Sequence, residues 1–376
     1  MRSLNSSIVR LAVASLLVPL AGGVLGAQEV PSKLSLHGYL TQGAAVSDSS
    51  QVIGIGEDGT TSYRRAALLL RYAQTPRDAF VVQVAHRRLG DSPIMAFESD
   101  VKVDWAFYER RFGDYTNLRV GKTPIPFGIY NETRYIGTLL PFYRAPYALY
   151  FEGAYTSETV DGAVLSSSFL ADSPFRIDAS VYAGNYSLLE FTHNPNIEGG
   201  FDYALGEAQA ENALGSQLWL STPLEGLRLG GGVSRATMEG GVLRTGGRKE
   251  TKNEWHAGVD ADFDRFDVRG EYLNINFANL RYRGWYAQAG ARVAGGLSVN
   301  AQAEVGTVKA DQGPMHYNIP LIRDNAIGAT YAFRSDLVFK AEAHETKGFN
   351  VEQGSNIFTA DPSTGRYYIT SLSLAF

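Results

Sequence analysis

Apolar and polar residues alternate with a period of two along this 376-residue chain, and the pattern holds to the last residue. In 367–376, Tyr368, Leu372, Leu374 and Phe376 share one face, while Ile369, Ser371 and Ser373 share the other. In 101–108, Val101, Val103, Trp105 and Phe107 oppose Lys102, Asp104, Ala106 and Tyr108. Trp255, Ala257, Val259 and Phe263 oppose His256, Asp260 and Asp262, and Leu337, Phe339, Ala341 and Ala343 oppose Lys340, Glu342 and His344. Successive side chains of a strand point to opposite sides, so each segment reads as a strand with one oily and one polar face. Similar segments begin near Leu34, Tyr63, Ala79, Asn117, Thr159, Phe175, Asn212, Leu227, Phe266, Leu280, Leu297 and Asn325. Together they predict about 16 strands.

The connections alternate in length. Short ones fall at 75–78, 113–114, 172–174, 222–226, 264–265, 294–296 and 334–336. Longer polar stretches fall at 46–62, 186–211, 237–252, 307–316 and 348–365. An up-and-down barrel with tight turns at one rim and long loops at the other has this rhythm. The oily faces together form a belt larger than the few hundred Å² (roughly) that a soluble monomer tolerates. Lipid solvates such a belt, but every backbone N–H and C=O then needs an internal partner, and only closure removes the sheet edges.

The opposite face carries Arg65, Arg71, Lys102, Asp104, Arg119, Arg176, Asp178, Asp260, Asp262, Arg269, Glu271, Arg292, Glu304, Lys340 and Glu342. Buried dry, such charges cost about several kcal/mol each. A lumen enclosed by about 16 strands holds water and keeps them solvated. A soluble β-sandwich needs a dry inner face and a polar outer one, which this pattern lacks. The fold class is therefore all-β: a transmembrane, antiparallel, up-and-down β-barrel.

The first residues are set apart. Arg2 and Arg10 precede an apolar run over 11–25, and Gly26-Ala27 supplies small residues before Gln28. This is the pattern of a signal peptide over 1–27, cleaved after Ala27, with the barrel over 28–376. A membrane anchor fits less well, because Pro19 and Gly22-Gly23 interrupt a run shorter than the roughly 20 residues a spanning helix needs. Too few residues precede Leu34 to make a plug domain, so no energy coupling is expected. Removing the leader takes away two arginines and no acid, which deepens a net charge of −5. An acidic exported chain is a poor match for nucleic acid. It has no cysteine, so neither disulfides nor thiolate metal sites contribute.

Three stretches carry a family likeness. Residues 36–40 (LHGYL) resemble the first strand of trimeric outer-membrane porins, and 63–72 (YRRAALLLRY) resemble their second, with its paired arginines. Residues 118–134 (LRVGKTPIPFGIYNETR) are similar to the strand-five-to-loop-three passage of the phosphate-selective porin superfamily, porin O/P and porins of the DcaP type. The terminal Phe376 resembles the assembly signal of outer-membrane barrels. The resemblance implies a 16-stranded barrel in the lipids of the bacterial outer membrane, a homotrimer, and a third outer loop folded into the lumen as a constriction. Phosphate selectivity does not carry over, since that rests on dense lumen Arg and Lys and this lumen mixes signs.

The residues single out the same loop. The connection 123–156 is the longest, and it is rich in Pro, Tyr and Phe, including Pro124, Pro126, Pro141, Pro146, Tyr143, Tyr147, Tyr150 and Phe151. Such content suits packing against a wall. Lys122, Glu132, Arg134, Arg144 and Glu152 are then expected at the constriction, opposite a lumen wall of Arg65, Arg71, Lys102, Asp104 and Arg119, where fixed charge sets ion preference. The alternative for each is a pairing with a wall charge that pins the loop.

Other motifs carry less. Gly54-Ile55-Gly56-Glu57-Asp58-Gly59 matches a dinucleotide fingerprint, but a polar loop precedes it and a strand follows it, so it reads as a flexible outer loop. Asp260 and Asp262 share a face as a glycosidase pair would, a coincidence expected among many lumen carboxylates. The six histidines are scattered without ligand spacing. No catalytic residue, cofactor or metal is expected. The function expected is passive diffusion of small polar or ionic solutes. The rivals are a membrane-embedded barrel hydrolase, for which no convincing Ser–His pair is visible, and a non-conducting structural or adhesive barrel.

Overall fold

Each alternating segment forms a strand, and the strands join edge to edge until no edge is left. The computed structural model describes residues 33–48, 52–92, 95, 101–151, 157–171, 173–192, 204–239, 249–348 and 362–376. The expected leader and Glu152 lie outside these. In chain order come β1 (Leu34–Ser47), β2 (Thr60–Ala73), β3 (Asp78–Leu89) and β4 (Lys102–Phe112). Next are β5 (Thr116–Pro124), β6 (Thr159–Phe169), β7 (Arg176–Thr192) and β8 (Ala204–Ser221). Then follow β9 (Leu227–Glu239), β10 (Lys249–Asp262), β11 (Phe266–Phe277) and β12 (Leu280–Ala294). The last four are β13 (Leu297–Gln312), β14 (Met315–Arg334), β15 (Leu337–Gly348) and β16 (Ser363–Ala375). Each pairs antiparallel with the next, and β16 pairs with β1, so the sheet is a closed barrel of 16 strands.

The two faces follow the alternation. Leu36, Leu68, Phe80, Val181, Ile327 and Leu372 are exposed on the outside, Ile327 to 68%. Arg65, Glu304, Asp324 and Lys340 face inward and are buried. Aromatic pairs stand on the outer face, with ring centroids 5.1 Å apart for Trp255 and Tyr272 and 5.4 Å for Phe80 and Tyr108. Amphipathic rings in these positions suit the two membrane interfaces.

Three expectations change. In β4 the register slips by one where Gln83 faces Trp105 and Val84 faces Val103. A bulge puts two residues against one and reverses the parity beyond it. Phe107 therefore turns inward, beneath the Arg119 guanidinium at 5.4 Å, while Tyr108 points outward to Phe80. Second, most of the polar stretch 307–316 is strand, and β13 and β14 meet in a turn at 313–314. β14 has 20 residues, about twice what a bilayer requires. Above the lipid a hairpin needs no oily face, so polar strand reads as loop.

Third, the glycine-rich 54–59 segment is not a free loop. Ile53 and Ile55 are buried, and the Tyr63 hydroxyl donates to the Ile53 carbonyl at 2.8 Å. Gly54 has φ +72° and approaches the Leu89 carbonyl so closely that a Cβ would lie 1.9 Å from it.

The closing ladder runs from Ser47 opposite Tyr367 to Tyr39 opposite Ala375 and ends on a glycine. Gly38 N donates to Phe376 O at 2.8 Å, and Phe376 N returns the bond to Gly38 O at 3.0 Å. A Cβ on Gly38 would meet the Phe376 ring at 2.6 Å and the Ala67 carbonyl oxygen at 2.7 Å. Gly38→Val should therefore sharply lower the yield of folded barrel, read as loss of the heat-modifiable band in electrophoresis. A folded yield equal to wild type would refute this account of closure.

Candidate functional site

Proline ends the fifth strand. Pro124 and Pro126 have no N–H for a ladder, so β5 stops and the chain turns into the lumen. The Asn131 side-chain amide ties the loop's ends together, donating to Ile125 O at 2.7 Å and Glu158 O at 3.0 Å. Within the loop lie a 3₁₀ turn (Gly137–Leu139) and a single-turn helix α1 (Tyr147–Tyr150), and most of its backbone is irregular. Phe142, Tyr143, Leu149 and Phe151 are nevertheless buried.

An irregular buried backbone leaves N–H and C=O groups without partners unless something supplies them. Here the barrel wall does. Glu271 on β11 accepts from Ile129 N at 3.0 Å and from the Tyr150 hydroxyl; Glu304 on β13 accepts from Ala148 N at 2.6 Å; Glu342 on β15 accepts from Tyr143 N. From the wall Lys340 donates to Gly137 O at 2.6 Å and Phe142 O at 2.8 Å, and Arg65 donates to Tyr143 O at 3.1 Å. Asn300 and Thr330 donate to Pro141 O, and Gln217 donates to Gly128 O at 3.1 Å. The loop thus touches the inner faces of strands on opposite sides of the barrel.

A second cluster holds the loop's ends. The Arg87 guanidinium lies 3.7 Å from the Tyr135 ring centroid and bonds Asp104 at 2.5 Å. Glu158 lies 3.5 Å from Arg87 and 3.6 Å from Arg134, and accepts from the Tyr135 hydroxyl. Burial pushes the Glu158 carboxyl up, but the charges of Arg87, Arg134 and Lys102 outweigh this and hold it well below its ordinary 4.5.

The residues singled out from sequence fall in different places. Lys122 alternates with Arg119 and Thr123, which places it on the outward face with Val120, its ammonium donating to Val103 O at 2.9 Å. Arg134 and Arg144 are enclosed, 2% and 6% exposed, Arg134 against Tyr150 and Arg144 donating to the Tyr367 hydroxyl at 2.9 Å. Glu132 stands open, its side chain 49% exposed, 3.1 Å from Arg119. Arg119 also reaches Glu109, as does Arg71 at 3.2 Å. Arg65 and Asp104 are buried against the loop and its anchors, while Lys102 is half-buried on the inner face. Of the anchors, Arg87, Tyr135 and Glu158 carried no sequence signal, whereas Glu271, Glu304, Lys340 and Glu342 were legible as inward charges.

Below the loop, toward the short turns, the wall bears paired charges of both signs. Asp260 bonds Arg228 at 2.7 Å and Arg269 at 2.9 Å; Asp262 bonds Arg292 at 2.5 Å; Arg176 bonds Asp178 at 2.9 Å. Asp260 and Asp262 are thus both engaged by wall arginines, as members of a charge network across β9–β12. Among the described residues no group of His, Asp and Glu has the arrangement to hold a metal ion.

The sequence matches no protein-family model and no curated protein. Solved structures do match in shape. An anion-selective porin from Comamonas acidovorans superposes with a TM-score of 0.55 at 12% identity, covering 91% of this chain and 99% of that one. The outer-membrane channel DcaP of Acinetobacter baumannii gives 0.57 at 9% identity, with 91% and 97% covered. OmpT of Vibrio cholerae in a trimer form gives 0.51 at 14%, with 91% and 99% covered. The chain has the porin-like fold of outer-membrane β-barrels.

Two outcomes test the anchoring. Lys340→Met should leave two buried carbonyls unpaired at a cost of about 1–3 kcal/mol and make the loop a protease target in an otherwise intact barrel; unchanged cleavage would sink the role. Because the Glu158 value is depressed, its contribution is complete above its ordinary 4.5 and is lost as pH falls through the lowered value. Loop protection should therefore persist at about pH 5 and fade only in stronger acid. Glu158→Gln should remove that acid transition; an identical acid profile in the variant would contradict the assignment.

Proposed function

We propose that the chain is an outer-membrane porin, exported by a leader cleaved after Ala27, that lets small hydrophilic solutes and ions diffuse passively. The observation that carries this reading is the third loop, drawn into the lumen and held by wall charges above a mouth that carries both signs. A constriction hung on a rigid wall narrows a wide barrel without closing it at the rims. The passage runs past the loop's exposed edge, where Glu132 faces Arg119, and opens on the ring of Arg71, Glu109, Asp178, Arg228 and Asp260. Paired charges of opposite sign leave only a weak preference between anions and cations. We further propose a homotrimer related to porins of the DcaP type, on the likeness of residues 118–134 and the trimer form of a structural neighbour. No cofactor enters this function.

One observation favours a second reading. The loop bonds to the inner faces of β2, β8, β11 and β13–β16, which suits a filled, non-conducting barrel. Planar-bilayer recording decides between them: steps of conductance are expected, and their absence would overturn the porin in favour of the structural barrel. Lipid turnover by the same preparation would point to a hydrolase. Glu132→Gln should move the reversal potential toward anion preference and Arg119→Gln toward cations. Lys122→Ala, on the outward face, should leave it unchanged. An unmoved potential in both Glu132→Gln and Arg119→Gln would remove this loop edge from the conduction path.

A further inference from the structure

The outer face of the barrel is oily through its middle, and on β11–β14 it becomes basic toward the long-loop rim. Asn276, Arg281, Lys309 and Asn318 stand in register across the four strands. With Asn279 and Tyr317 they line a groove of about 750 Å³. Two residues nearer the bilayer on β12, on the same face, is Arg283, and next comes Trp285, 41% exposed. Trp285 faces Val305 on β13, which faces Arg323 on β14. Arg281, Arg283 and Lys309 therefore stand rimward of a tryptophan and Arg323 stands level with it, tryptophan being the ring type that settles at headgroup level.

Among the described residues these cations outnumber the acids beside them. Asp311, the one acid lining the groove among the described residues, bonds the His316 ring at 2.6 Å. Glu345, the acid facing outward on β15, is taken by Arg366 at 3.1 Å. Among the described residues no ion pair engages Arg281, Arg283, Lys309 or Arg323, and Arg281 bonds the neutral Asn276 amide at 3.1 Å. Guanidinium forks match phosphate oxygens, and asparagine amides add neutral donors around them. A membrane surface is where such a cluster meets anionic headgroups at high local concentration.

We propose that this groove binds the phosphorylated headgroup of a glycolipid in the outer leaflet, with Arg281 and Lys309 inside it and Arg283 and Arg323 beneath. The site rests on the outer-membrane placement proposed above, yet it does not depend on conductance. The test places the full mature protein in phosphatidylcholine nanodiscs with or without lipid A, the phosphorylated glucosamine lipid of bacterial outer leaflets. Bound lipid is counted by native mass spectrometry.

Wild type should retain lipid A selectively, and the variant R281Q/R283Q/K309Q/R323Q should lose that retention. Lys309→Gln alone should weaken it about fivefold, the effect of one cation near an anionic surface, and it serves if the quadruple variant fails to fold. R334Q, at the opposite rim, should retain lipid A as wild type does. Equal retention of lipid A by wild type and Lys309→Gln, or no preference over phosphatidylcholine, would overturn the proposal. Loss of self-association with lipid retention intact would overturn it too, and would assign the face to a second copy of the chain. Single-channel steps recorded in parallel report on the porin reading separately.

Discussion

Backbone hydrogen bonding in the absence of water governs this molecule from rim to rim. A strand crossing hydrocarbon cannot leave an N–H or C=O for solvent to satisfy, so the sheet must run until it meets itself. The meeting runs along β1 and β16 and ends where Gly38 and Phe376 exchange both backbone bonds, with the glycine's bare Cα admitting the terminal ring. Alternating side chains, oily outward and charged inward, follow from the solvents on the two sides of that closed sheet.

The same requirement reappears inside the lumen. Loop 125–151 has little regular structure, and its backbone pairs with itself only at a few turns such as Ile136 N to Thr133 O and Tyr150 N to Pro146 O. Glu271, Glu304 and Glu342, one from every second strand, accept its amides, while Lys340 and Arg65 donate to its carbonyls. Charges that look like a channel lining are in large part substitutes for missing backbone partners. This division separates Arg134 and Arg144, buried against aromatic rings, from Glu132, which stands open beside a partly exposed Arg119. Toward the other solvent, the outward cations of β12–β14 meet a boundary where, among the described residues, no ion pair engages them.

Periodicity of two made the strands legible because membrane and lumen impose it on every residue that crosses. It failed where one of those solvents is missing. Above the bilayer the outward face of β13 and β14 has no reason to be oily, so their upper halves passed for loop. At the bulge in β4, one extra residue inverted Phe107 and Tyr108, a slip invisible to a count of alternating residues. In the loop, composition located the segment, but not which of its charges face water. Lys122, Arg134 and Glu132 look equivalent along the chain and end outward, enclosed and exposed.

What the chain alone determined is the class of object: an antiparallel ribbon with one face for lipid, tight turns at one rim, and a long aromatic loop after its fifth strand. These are local properties, written in neighbouring residues. Which side chains meet across the lumen was decided only by the closed barrel. Arg87 with Tyr135 and Glu158, Lys340 with Gly137, and Glu271 with Ile129 are pairings between residues far apart in sequence, brought together when curvature and register set opposite walls around one loop.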